Sequence, residues 1–300
     1  MKFAAIDIGS NAIRLLLKRV MDDGQKTIFQ KESLIRMPLR LGDDVFSKKR
    51  VSQDKIRKLI DIMRGFKNLL DAYQPIRYDA FATSAMREAL NGDEIADKIK
   101  DETGIALKII DGREEAQIIF STHSEKAIFH QGEFLHIDVG GGSTELMMFA
   151  KGNTMDSNSF RIGTVRILQG MDNKNEWTEM KTWLRKVTRP YKKLLAVGSG
   201  GNINKLFQLA GKKEGQAVSF EKIKSIKANI EQYELVDRIN ILGLRPDRAD
   251  VIIPASDIYL SVMQWANIKK VYVPQIGLAD GMIHLMYERF RKEHPIQFVS

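Results

Sequence analysis

The sequence predicts an α/β protein built as two successive lobes, and three observations carry that reading. Its 300 residues amount to roughly two domains at the usual ~150 residues each. Short apolar strands alternate with amphipathic helices along the whole chain. The pattern apolar-Asp-apolar-Gly occurs at Ile6-Asp7-Ile8-Gly9 and again at Ile137-Asp138-Val139-Gly140, each time at a strand end and each time followed by small polar residues and a second strand.

In the first lobe, Phe3 to Asp7 reads as a strand and Ala12 to Val20 as its hairpin partner, separated by Gly9-Ser10-Asn11. Asp22-Asp23-Gly24 marks the next turn, and Thr27 to Ile35 is the third strand. From Ser52 to Tyr73 the apolar positions fall at spacings of three and four, which predicts one long helix with Ser52 as its cap. A strand over Arg77 to Ala82, a helix from Asp93 to Thr103, a strand over Leu107 to Ile110 and a helix from Arg113 follow. The second lobe repeats the opening with strands Phe134 to Asp138 and Thr144 to Ala150 around Gly140-Gly141-Gly142. It continues with a helix from Glu176 to Arg189, a strand Leu194 to Val197, a helix after Gly201, a helix from Asp250 to Ala266, a strand Lys270 to Val273 and a last helix from Gly277. The periodicity lapses between Glu125 and Gly132, which places the boundary there and gives lobes of 1–128 and 129–300.

Composition narrows the chemistry. Hydrophobic residues at 43% and charged residues at 28% supply a real core and argue against disordered, collagen-like or membrane classes. No apolar run approaches the ~18 residues of a membrane span, and Asp7 interrupts the start where a secretory signal needs apolar residues, so a cytoplasmic protein is expected. With no cysteine, disulfides, thiolate zinc sites and cysteine nucleophiles are excluded, leaving oxygen and imidazole ligands. The five histidines show no metal spacing. A net charge of +9 attracts polyanions, whether nucleic acid, nucleotides or phosphate polymers, without choosing among them.

The two glycine turns superpose without a gap at an offset of 131 residues, 138 minus 7. A hairpin alone explains one Asp-x-Gly turn, but two aligned copies point to a duplicated phosphate loop. Glycine lets backbone N–H groups approach an anion, Ser10, Asn11, Ser143 and Thr144 add polar groups, and the flanking Asp can hold a hydrated cation. A third glycine turn, Gly198-Ser199-Gly200-Gly201, precedes a helix and offers either another anion site or a simple turn. Glu114 and Glu115 stand at a helix start, where acidic residues also favour the helix dipole, and adjacent helix residues point apart so that only one can serve a given site. Arg87 follows the strand end at Thr83-Ser84, with the planar fork that suits phosphate, or a surface ion pair with Glu88. Lys181, Arg185, Lys186, Arg189, Lys192 and Lys193 form a basic stretch that either guides a polyanion or is a solvated helix face.

These motifs, together with Ala82-Thr83-Ser84-Ala85-Met86-Arg87-Glu88-Ala89 and Glu114-Glu115-Ala116, resemble the exopolyphosphatase and guanosine pentaphosphate phosphohydrolase family of the actin, sugar-kinase and chaperone ATPase superfamily. The resemblance runs in order from Asp7 to the Gly277–Gly281 segment. It implies two ribonuclease-H-like, actin-like lobes with the active site in the cleft between them, and a last helix, about 280–300, that returns to the first lobe. It implies exopolyphosphatase activity, releasing terminal phosphate from inorganic polyphosphate by attack of water. Glu115 matches the family's proposed catalytic base and Arg87 its phosphate site. Gly9, Ser10, Asn11, Gly140, Gly141, Gly142, Ser143, Thr144, Ser199 and Gly200 are the expected phosphate-binding residues. Asp7, Asp138 and Glu145 are the expected ligands of Mg2+, or of Mn2+ in its place, with pairing of Glu145 to Arg14 as the other use of that carboxylate. A homodimer is expected, with no nucleic acid or membrane partner, and a short form without the C-terminal helical domain of longer members. Hydrolysis of guanosine pentaphosphate is the nearest alternative, and an actin-like or chaperone-type ATPase the more distant one.

Overall fold

The computed structural model describes residues 1–121, 132–150, 153–213 and 215–294. It divides into two compact units, Met1–Thr122 with Leu278–Ser300, and His123–Gly277. The expected boundary at Glu125 to Gly132 falls almost entirely outside the described residues.

The first unit opens with β1 (Lys2–Ile8), β2 (Ala12–Asp22) and β3 (Thr27–Pro38), an antiparallel meander in which Asp7 faces Arg14. Next come α1 (Leu41–Lys48), α2 (Gln53–Tyr73), β4 (Arg77–Ala82), α3 (Ser84–Glu88), α4 (Gly92–Thr103), β5 (Leu107–Ile109) and α5 (Gly112–Ser121). The sheet order is β3-β2-β1-β4-β5, with β4 parallel to β1 and β5 parallel to β4. Ile8, Ala82 and Ile109 are level in that register, so the three parallel strands end on one edge and their following loops gather there. Along α2 the predicted stripe Ile56, Leu59, Ile60, Met63, Phe66 and Leu70 is buried. Ser52 is its N-cap residue but makes no side-chain capping bond; its N–H instead donates to Asp44 Oδ2 at 3.0 Å.

The last helix belongs to the first unit. Read by periodicity it attaches to the lobe that precedes it; in the structure α13 (Leu278–Glu293) packs against β1, β2, β4 and α5. Leu278, Met282, Ile283, Met286 and Tyr287 join Phe3, Ala5, Leu16, Val20, Ile118 and Ile119 in one core. Each such side chain contributes about 1.5–3 kcal/mol of burial, which fixes the helix on this sheet. Tyr287 also donates to Asp22 at the end of β2.

The second unit repeats the plan. Its meander is β6 (Phe134–Val139), β7 (Thr144–Ala150) and β8 (Asn153–Phe160), followed by α6 (Thr164–Leu168), α7 (Lys174–Thr188), β9 (Leu195–Ser199) and α8 (Gly201–Leu209). β10 (Ala217–Ser219), α9 (Phe220–Glu231), α10 (Leu235–Asn240), α11 (Pro246–Ala249), α12 (Ile252–Trp265) and β11 (Lys270–Tyr272) complete it. The order β10-β11-β9-β6-β7-β8 matches the first sheet strand for strand, with β10 added at one edge. β6, β9 and β11 run parallel, as β1, β4 and β5 do. No helix among the described residues is long and apolar enough to cross a membrane.

Candidate active site

In the first unit the carboxyl edge of the sheet collects Gly9, Ser10 and Asn11 after β1, Thr83, Ser84 and Arg87 after β4, and the start of α5 after β5. The glycine turn is closed by Gly9 N donating to Ala12 O at 3.1 Å. Ser10 Oγ and Ser84 Oγ lie 2.7 Å apart, a buried hydrogen bond that ties the first loop to the second. Thr83 N donates to Ile8 O at 3.2 Å and reinforces the same junction. Arg87 Nη1 donates to Ile110 O at 2.7 Å, so the guanidinium is laid across the end of β5 with further donors to spare. Asp111 Oδ1 caps α5 by accepting from the N–H groups of Arg113 and Glu114, both at 2.8 Å. Glu114 forms an ion pair with Lys108 of β5. Glu115 is half-buried on the next position of the helix. Asp7, 3% exposed, receives Arg14 Nη1 on its Oδ2 at 2.7 Å. Arg14 thus pairs with Asp7 across the hairpin.

The second unit builds the matching loop. Gly140 N donates to Ser143 O at 2.9 Å, the same bond as Gly9 to Ala12 shifted by 131 residues. The carbonyls of the three glycines are taken up by the segment after β8: Thr164 N donates to Gly140 O, Val165 N to Gly141 O, and Arg166 Nε to Gly142 O at 2.9 Å. Arg166 is buried, and a Cβ on Gly163 would stand 2.4 Å from Gly141 O, so this backbone contact requires glycine. Asp138 and Glu145 face each other across the β6–β7 ladder, both buried. Glu145 Oε1 accepts from Ser143 Oγ at 2.6 Å and Ser159 Oγ at 3.0 Å. Thr144 is fully buried and donates to Ile162 O at 2.6 Å, which makes its hydroxyl a brace for the loop rather than a group offered to a ligand.

Ser199 ends β9 level with Asp138, 1% exposed, and its Oγ has no hydrogen-bond partner among the described residues. Gly200 follows at φ 89, and a Cβ there would meet Asp138 Oδ1 at 2.5 Å. The third glycine turn is therefore packed against the carboxylate of the repeated loop. Tyr259 of α12 lies beneath, its hydroxyl 3.2 Å from Ile137 O and 3.1 Å from Ser199 O; burial, then the Asp138 charge, raises its pKa well above the usual phenol value and keeps it a donor.

Sequence reasoning missed several residues of this constellation. Arg248 Nη1 donates to Asn202 Oδ1 at 2.7 Å, Asn202 Nδ2 donates to Val139 O at 3.2 Å, and a Cβ on Gly201 would fall within 1.9 Å of Arg248 Nη2. The guanidinium therefore lies against the N-terminus of α8. Ser84, Arg166 and Tyr259 were equally unassigned, because only the fold brings them to the loops. Among the described residues no three His, Asp or Glu side chains form a ready metal cluster. Asp138 and Glu145 nevertheless fit a hard cation of the Mg2+ type, which takes one or two carboxylates and completes its shell with water and phosphate oxygens. Asp7, committed to Arg14, fits that role less well.

Comparison with known proteins gives the family and the fold. The chain is 29% identical over 287 residues to a bifunctional 3-dehydroquinate synthase/phosphatase of Fusobacterium nucleatum, covering 87% of this chain and 43% of that protein. It is 25% identical to a guanosine-5'-triphosphate,3'-diphosphate pyrophosphatase of Photobacterium profundum, covering 96% and 60%, and 23% identical to exopolyphosphatase 1 of Mycobacterium leprae, covering 94% and 88%. The chain thus spans about half the length of the first two. The crystal structure of an exopolyphosphatase from Cytophaga hutchinsonii has the same fold, with a TM-score of 0.83 at 21% identity over 96% of this chain and 98% of that one. The family model described as Ppx/GppA phosphatase matches residues 21–290. With nine-tenths of its length matched, the chain belongs to the Ppx/GppA phosphatase family.

Proposed function

We propose that the chain is a phosphoanhydride hydrolase that releases terminal orthophosphate from inorganic polyphosphate. The observation that carries this reading is the first unit's carboxyl edge, where a glycine turn, an arginine and a carboxylate at a helix start are collected by three parallel strands. Water is the nucleophile. Glu115 accepts its proton as oxygen attacks the terminal phosphorus; the bridging P–O bond breaks and the shortened chain leaves with the electron pair. Arg87 and the turn at Gly9, Ser10 and Asn11 hold the transferred phosphoryl, and the turn at Gly140 to Ser143 with Ser199 and Gly200 holds a phosphate of the chain. Mg2+, with Mn2+ as its substitute, would be held by Asp138 and Glu145 and would neutralise charge on phosphate oxygens. The reading carries with it a homodimer in the cytoplasm.

Hydrolysis of guanosine pentaphosphate at its 5′ terminal phosphate is the second reading, supported by the Photobacterium relative. Phosphate release from polyphosphate of defined lengths and from the nucleotide, measured at equal Mg2+, separates the two. Release from neither substrate would defeat both.

A further inference from the structure

The second sheet carries a basic concavity at the edge opposite its glycine turns. β11 pairs in parallel with β9, Val271 beside Ala196, so Lys270 stands level with Leu195 at the amino end of the strands, four positions before Ser199. There a pocket of about 470 Å³ is lined by Ala210, Lys212, Ala217, Ser219, Lys222 and Lys270. Three of its six lining residues are lysines, and the others are two alanines and a serine. No carboxylate among the described residues lines it. None of the three lysines has a side-chain ion pair or hydrogen bond among the described residues, whereas Lys58 and Lys67 on α2 and Lys227 on α9 all pair with carboxylates. Ser219 Oγ accepts from Lys222 N at 3.2 Å, which leaves its own proton to donate into the pocket. Three further exposed lysines extend the patch: Lys192 and Lys193 in the turn that enters β9, and Lys269 just before β11.

Like charges gathered at one concavity repel one another, and an anion relieves that cost. We propose that this pocket is a separate binding site for condensed inorganic phosphate, remote within its unit from the turns at Gly140 and Gly200. Polyphosphate suits it better than nucleic acid, because no aromatic ring lines the pocket to stack a base. A run of ammonium groups with no directional code fits a uniform chain of phosphates. The site extends the hydrolase reading: a long chain held here stays at high local concentration after each terminal phosphate is released, while a chain too short to reach from this pocket to the reaction gains nothing.

The test is binding of tripolyphosphate and of long-chain polyphosphate to the full chain by calorimetry, with chelator present to prevent turnover. The variant is Lys212→Ser, Lys222→Ser and Lys270→Ser together, with the three corresponding arginine substitutions as a charge-preserving control and a thermal melt to establish folding. The serine variant is expected to bind long chains about tenfold or more weakly at low salt, the difference shrinking as salt rises, and the arginine control is expected to restore binding. In turnover, KM for long chains rises, with kcat and the kinetics on tripolyphosphate unchanged. Equal binding by the folded serine variant and the wild type overturns the proposal. So does an oligouridylate that binds the pocket as tightly as polyphosphate and is lost with the same lysines, which makes it a nucleic-acid site. Wild-type protein that binds long chains through these lysines but releases no phosphate would instead defeat the hydrolase reading and leave the site standing.

Discussion

Gly281→Ala tests whether the return of α13 to the first sheet positions the catalytic helix. A Cβ at this position would stand 2.0 Å from Ile118 O, 2.6 Å from its carbonyl carbon and 2.9 Å from its Cγ2. Ordinary contacts begin near 3.4 Å, and the obstacle is backbone, so α13 and α5 must separate by roughly 1 Å. Overpacking of this kind costs about 1–3 kcal/mol, and the upper end applies because no rotamer relieves it. Replacing glycine in a helix returns about 1 kcal/mol, which leaves a net loss of about 2. Melting should fall by about 4–8 °C for a unit of this size. Ile118 lies one turn beyond Glu115 on α5, so the same displacement moves the carboxylate, and an error of about 1 Å there costs on the order of 10²-fold in kcat/KM. Gly65→Ala on α2 is the matched control: nothing stands within 4 Å of its Cβ, and it should stabilise by about 0.5–1 kcal/mol with activity unchanged. Thermal melts and phosphate release on the pair decide the matter. A Gly281→Ala protein that melts at or above the wild type and hydrolyses normally would refute the helix-spacing argument.

Three further outcomes are expected. Glu115→Gln should lower kcat by about 10²–10⁴-fold with little change in KM, while Glu114→Gln, which only releases Lys108, should change it less than about tenfold; steady-state kinetics on both variants checks the assignment. Gly200→Ala combines φ 89 with a Cβ at 2.5 Å from Asp138 Oδ1, so a loss of about 2 kcal/mol in stability and impaired turnover are expected, read by melting and by phosphate release. Asp44 is buried, which works to raise its pKa, but the Ser52 hydrogen bonds and Lys55 outweigh burial and hold the carboxyl below its usual value. Its stabilising contribution is therefore complete above the unfolded value of about 4 and disappears as pH falls through the lower folded value. Urea midpoints of wild type and Asp44→Asn should differ at pH 7 and converge in strong acid; a constant gap would contradict the assignment.

What was legible from sequence was what local chemistry determines. β4 at Arg77–Ala82 and β7 at Thr144–Ala150 have the ends their apolar runs and turns predict, and α2 buries the stripe its spacing predicts. β8 was not legible: Asn-Thr-Met-Asp-Ser-Asn-Ser-Phe has no strand pattern of its own and is extended by its ladder to β7. α9 was missed although Ile223, Ile226 and Ile230 are spaced for a helix, because lysines and glutamates crowd the intervening positions. The home of α13 was illegible for the opposite reason. Buried residues occupy most sides of its first half, so no stripe indicates which sheet it covers. Arg166 and Arg248 reach their glycine turns from 24 and 46 residues away, distances over which side-chain spacing carries no signal.

The duplicated hairpin explains how one backbone device came to serve two electrostatic tasks. The bonds Gly9 to Ala12 and Gly140 to Ser143, and the pairing of Asp7 and Asp138 with the residue seven positions on, are the same in both units. What differs is the partner, Arg14 in the first and Glu145 in the second. In the first copy the buried aspartate is already neutralised by the arginine beside it. Two buried carboxylates stand on facing rungs, and the hydroxyls of Ser143 and Ser159 orient Glu145. The exchange of Arg14 for Glu145 thus gives the two copies of one hairpin cross-strand partners of opposite charge for the same aspartate.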